Sequence, residues 1–179
     1  MKGIIFTEFI ELVETEFGSQ VLEEMFDLAQ DKGVYTSVGS YDHKHLVSLI
    51  VALSKLTNVS AEDLQATFGK AIFAHLHASI PSTTALKLCT TTFQFLRQVE
   101  NHIHIEVKKL YPDAKPPKFD FITEDKLAMT FDYYSARCMS HVCLGLIKGC
   151  AEHFDESIGI TMNSEDSQGS HVRFQLCIE

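Results

Sequence analysis

The sequence predicts an α+β fold, with a helical N-terminal lobe and a C-terminal lobe in which a small antiparallel sheet carries one packed helix. Three observations predict it. Apolar residues recur at helical spacing through the first two-thirds of the chain. The period then drops to two, where Leu127, Met129, Phe131 and Tyr133 alternate with Ala128, Thr130 and Asp132. Two further β-type runs, 158–162 and 172–176, flank a polar stretch holding Gly169 that reads as a hairpin loop. With 179 residues, the chain suits one domain, its helical lobe at about 1–63 and its second lobe at about 64–179.

Each element follows from local chemistry. Ile5, Phe6, Phe9, Ile10, Leu12 and Val13 make a first amphipathic helix over 3–17, broken at Gly18. Val21, Leu22, Met25, Phe26 and Leu28 make a second over 19–31, ended by Gly33. Asp42 is placed to cap a helix running to Leu56, and Ser60 with Asp63 forms a capping box for one running to about Ala78. Pro81 interrupts, and Ser82 with Thr83 leads into a long helix over about 90–111, with Phe93, Leu96, Val99, Ile103, Val107 and Leu110 as its apolar stripe. Pro112, Pro116 and Pro117 end it by removing donors and crowding the preceding turn. Phe119 to Ile122 pairs with the alternating strand as a hairpin, and residues 138–154 return to helical spacing.

The bulk properties exclude several classes. A net charge of −9 disfavours nucleic acid and anionic membrane surfaces as partners, since both require a basic face. The longest apolar run, 46–53, is far too short for a membrane span, and the start of the chain lacks a signal-peptide pattern, so the reading is cytoplasmic. Five cysteines, an odd number with no Cys-x-x-Cys pair, read as reduced and mostly buried thiols.

The informative residues are few. His104 borders the apolar stripe of its helix, one turn from Glu100, whereas His102 points away. A neutral imidazole there suits an axial metal ligand, and equally a partly buried histidine with a bonded ring. Downstream, Tyr133, Ser135 and Arg137 form Tyr-x-Ser-x-Arg at the end of a strand. Two hydroxyls and a guanidinium fork suit a pair of carboxylates, although alone the run is equally an ordinary strand end. A molecule with two carboxylates around a central metal is heme. Without Cys-x-x-Cys-His it would be held non-covalently, as heme b.

Taken together these residues resemble the heme nitric oxide/oxygen binding (H-NOX) family, which includes the heme domain of soluble guanylate cyclase and stand-alone bacterial sensors. The resemblance spans nearly the whole chain: Met1-Lys2-Gly3, the segment His104 to Pro112, the Pro116-Pro117 pair, Tyr133-x-Ser135-x-Arg137, and Gly145-Leu146 in the next helix. It implies that His104 is the iron ligand and that Tyr133, Ser135 and Arg137 hold the propionates. It also implies that Pro117 bends the macrocycle and that Ile5 and Leu146 touch the porphyrin. Family members that bind oxygen stably carry a tyrosine five residues after the motif arginine; here that residue is Val142. Phe9 and Ile72 stand where supporting donors would be.

The expected function is therefore a nitric oxide sensor that also takes carbon monoxide and excludes oxygen, with no enzymatic activity. The resemblance implies that nitric oxide, bound opposite His104, breaks the iron–histidine bond and shifts the lobes. A separate histidine kinase or a diguanylate cyclase or phosphodiesterase would read the shift. His141, His75 and His77 read as surface histidines, and no residue cluster reads as a zinc site. The alternatives are a peroxidase-type heme enzyme, which needs a distal acid or base, and an interaction module without heme.

Overall fold

The structure, a computed structural model, describes residues 1–80, 85–110 and 115–179, and every side chain within them but those of Val107 and Leu110. Pro81, Ser82, Thr83, Pro112 and the start of the proline-rich stretch lie outside the described residues.

Helix α1 (Gly3–Ala29) contains the expected break, because Gly18 sits at φ 86°, ψ 164° and the chain resumes helix directly after it. It ends on Gln30 in the left-handed region (φ 53°), three residues before the glycine expected to stop it. Asp42 caps α2 (His43–Thr57) by accepting from the Lys44 amide at 3.0 Å. Ser60 caps α3 (Ala61–Ala78) by accepting from Asp63 N–H at 3.0 Å, while its hydroxyl donates to the Asp63 carboxylate at 2.7 Å. The reciprocal half of the box is thus side chain to side chain, Asp being a methylene shorter than the Glu that reaches the backbone.

The helix expected over 90–111 is three pieces. Helix α4 (Thr92–Gln98) passes into a π-helical turn (Val99–Ile103), and α5 (His104–Leu110) follows. The His104 N–H reaches back to the Val99 carbonyl, five residues earlier. Such a turn adds one residue to the helical circuit and resets which side chains face the core beyond it. The strands are β1 (Lys118–Glu124), β2 (Ala128–Tyr134), β3 (Ile158–Ser164) and β4 (His171–Ile178), in the antiparallel order β1-β2-β4-β3. Met129, Phe131 and Tyr133 of β2 are buried as alternation predicts, but Asp132 between them is buried too, bonded to Arg173 of β4, and Leu127 precedes the strand and is exposed.

Helix α6 (Ser140–His153) joins the lobes. Its Cys143 and Ile147 pack with Phe131, Phe174 and Leu176 on the sheet, together with Phe93 and Leu96 of α4. Its other side meets α3 almost backbone to backbone. A Cβ at Gly145 would lie 2.1 Å from the Ala66 carbonyl oxygen, and one at Gly69 would lie 2.2 Å from that of Val142. A separate core of Phe6, Phe9, Val13, Met25, Leu46, Leu49, Ile50, Leu53, Phe68 and Ile72 fills the helical lobe. Among the described residues no helix is long and apolar enough to cross a membrane.

Candidate heme site

His104 opens α5 directly after the π turn and is only 9 % exposed. Its Nδ1 is 2.7 Å from Oε2 of Glu100, four residues earlier, and the same oxygen accepts from the Phe119 amide at 3.0 Å. The edge of the Phe119 ring closes the other side, with ring centroids 5.3 Å apart. Burial lowers the imidazole pKa, while the Glu100 hydrogen bond opposes that shift. With Nδ1 bonded to an acceptor, Nε2 is the nitrogen free to ligate. His102 is exposed, as its position on the helix predicts.

The second group lies where β2 ends. Tyr133 is buried (4 % exposed) and in contact with Phe119 and Phe174. Burial pushes its phenol well above the ordinary range, Cys143 adds to this, and Ser135 and Arg137 act in the opposite sense. Ser135 is past the strand, in a turn where its hydroxyl accepts from the Arg137 amide at 3.3 Å. Arg137 is half-buried, and burial lowers its pKa. Among the described residues its guanidinium has no carboxylate partner. The Met1 ammonium lies close enough to be affected by it. This is the electrostatic setting an anionic group would relieve.

The third group is apolar. Phe9 and Ile72 are buried in the helical core, with Ile5, Val142 and Leu146 packed against it. Leu146 also touches the cluster containing Ile103, Phe73 and Phe95 and so faces the histidine-bearing segment as well. Pro117 is half-buried, one residue before β1 and two before Phe119. Sequence reasoning missed Phe68, whose ring meets Phe9 edge-on at 5.3 Å, and the roles of Glu100 and Phe119. For Glu100 the spacing to His104 was a readable signal; for Phe119 none existed, since it reaches His104 through the sheet.

The histidines read as surface residues fare differently. His75 pairs with Glu8 and is exposed. His77 is instead half-buried, stacked on Phe73 and 4.1 Å from the His153 ring, because α3 turns that flank towards α6. His141 is half-buried too, and lines a surface cleft of about 320 Å³ with Glu62, Gln65 and Cys138. All five thiols are free; Cys143 and Cys150 are buried, but Cys138 and Cys177 are exposed. Cys138 lies in the turn before α6, at φ 53°, and not on the helix.

The family model for Haem-NO-binding proteins matches residues 2–162.

The chain belongs to the H-NOX family.

It is therefore a heme-binding domain of a gas-sensing family. The unliganded Fe(II) H-NOX protein from K. algicida is 36 % identical, with a TM-score of 0.92 over 100 % of this chain and 97 % of that one. The H-NOX protein from Shewanella woodyi, solved in the Fe(II)CO state with IWP-051 bound, is 36 % identical, with a TM-score of 0.81 over 99 % of this chain and 94 % of that one. The S. oneidensis H-NOX protein in the Fe(II)NO state, at 24 % identity, shares the fold with a TM-score of 0.86 over 100 % of this chain and 99 % of that one.

The residues present fit the group that the family carries. His104, nearly buried and with Nδ1 bonded to Glu100 so that Nε2 is left to ligate, suits an iron whose other ligands come from a porphyrin. The half-buried Arg137, without a carboxylate partner, suits its propionates.

Proposed function

We propose that this domain is a nitric oxide sensor with heme b, that it also takes carbon monoxide and excludes oxygen, and that it is not itself an enzyme. Bound heme would supply a ferrous iron able to take a diatomic gas. His104 holds the iron through Nε2, with Nδ1 engaged by Glu100. Tyr133, Ser135 and Arg137 orient the propionates, and Pro117 presses on the ring from beside β1.

The observation that carries the gas preference is the apolar set Phe9, Ile72 and Val142, packed in one cluster. Oxygen accumulates negative charge at its far atom on binding and needs a donor there, a bond worth about 1.5–3 kcal/mol when charge-assisted. None of these three side chains has a proton to donate. The phenols of the same lobe, Tyr35 and Tyr41, pack on Phe6, where Tyr35 donates to Asp31 at 2.5 Å and Tyr41 lies 3.3 Å from the Thr36 hydroxyl. Nitric oxide depends little on such a donor. His141 lies with Cys138 in a surface cleft, which speaks against a peroxidase-type acid or base.

Release of His104 would free α5 and shift the helical lobe against the sheet. A cytoplasmic partner, a histidine kinase or a cyclic-di-GMP enzyme, would read that shift. The test is the absorption spectrum of the ferrous protein under argon, in air and with nitric oxide. We expect no change in air and a clear change with nitric oxide; a stable oxygenated spectrum in air overturns the oxygen-exclusion reading. A partner kinase should lose autophosphorylation when the sensor carries nitric oxide, and equal activity in both states overturns that output.

A further inference from the structure

We infer that Glu100 is a positioning residue for His104: one carboxylate oxygen both orients the ligand imidazole and ties it to strand β1, so that Glu100 sets the strength of the bond that gas binding must break. The inference rests on the reading of His104 as the iron ligand.

The geometry is specific. Oε2 of Glu100 stands 2.7 Å from His104 Nδ1 and 3.0 Å from the Phe119 amide nitrogen. An ionised carboxylate only accepts hydrogen bonds, so Nδ1 carries the proton and Nε2 presents its lone pair. A carboxylate behind a ligand histidine also makes the imidazole a stronger donor to the metal. The π turn contributes, because Glu100 lies within it and His104 closes it through the bond to the Val99 carbonyl. A tighter or looser helix here would move Glu100 relative to His104.

The second bond gives the clamp its reach. Phe119 is the second residue of β1, pairs in register with Tyr133, and follows Pro117 by two. Its ring also packs against both His104 and Tyr133. Any displacement of His104 therefore either breaks the Nδ1 bond or pulls on the start of β1, beside the propionate site. Glu100 thus serves as the mechanical link from the proximal helix to the sheet.

The test uses Glu100→Gln and Glu100→Ala in the heme-loaded protein. Gln keeps an acceptor oxygen and loses the charge; Ala loses both. In the ferrous protein the iron–histidine stretching band, read by resonance Raman, should fall in frequency in both variants. Heme loss to a scavenger should rise about 10–100-fold in Glu100→Ala. Hydrogen exchange at the Phe119 amide should stay slow in Glu100→Gln and accelerate in Glu100→Ala. An unchanged stretching band in Glu100→Gln overturns the inference, even if Glu100→Ala does not fold. Absence of an iron–histidine band in the unsubstituted protein would instead overturn the ligand reading, with the response of the Phe119 amide still reporting on the clamp.

Discussion

At Arg137 a guanidinium has been drawn partly out of water with no carboxylate to meet it among the described residues. A guanidinium so placed costs free energy unless negative charge meets it, and so favours a ligand that supplies that charge. Arg137→Ala should therefore leave the fold intact and speed heme loss. If one charged hydrogen bond of about 1.5–3 kcal/mol is removed, the rise is about 10–150-fold, measured by transfer to a scavenger. On the apolar side, Val142→Tyr places a phenol against the cluster of Phe9 and Ile72. It should confer an oxygen affinity measurable in air, and a variant with none would show that the gas preference lies elsewhere. His104→Gly should abolish the histidine-ligated spectrum, with recovery on adding imidazole.

Among the elements, α3 and α6 decide how closely the lobes approach. Gly69 and Gly145 let backbone meet backbone, and no side chain larger than hydrogen fits at 2.1–2.2 Å from a carbonyl oxygen. Gly145→Ala must therefore push the helices apart. We expect a loss of about 1–3 kcal/mol or more, read from the urea midpoint of unfolding. The π turn is the other element with consequences. Helical periodicity predicted an unbroken stripe through Phe93, Leu96, Val99 and Ile103; the turn interrupts it, so that Phe93 and Leu96 ahead of it are buried while Val99 and Ile103 within it are only half-buried. Periodicity assumes a constant number of residues per turn, and one inserted residue defeats it while leaving the composition unchanged.

Across the whole molecule, the sheet is braced by Asp132, which accepts two bonds from Arg173 on the paired strand at 2.8 and 2.9 Å. The Arg173 hydrogen bond holds the Asp132 carboxyl below its ordinary value of 3.8; burial opposes, and His171 adds to the lowering. A carboxyl depressed in the folded state stabilises the protein above its unfolded pKa, and that contribution is lost as pH falls through the folded value. Melting temperature should therefore decline as the pH drops below 3.8, and Asp132→Asn should flatten that decline. A variant with the same acid limb as the parent would show that other carboxylates dominate.

Local chemistry determined much of this protein. The capping residues Asp42 and Ser60, the break at Gly18 and the alternation of β2 are short-range effects, legible in the order of residues alone. So were the donor types at His104, Tyr133, Ser135 and Arg137, because their chemistry travels with the side chain. Only the tertiary structure decided which of them meet. It brought Phe119 across to His104, gave one Glu100 oxygen two donors from separate elements, exposed Cys138 by turning the chain before α6, and drew His77 inward against α6. Each of those outcomes depends on contacts between residues distant in sequence, and packing between lobes, unlike helical period or capping, leaves no local pattern to read.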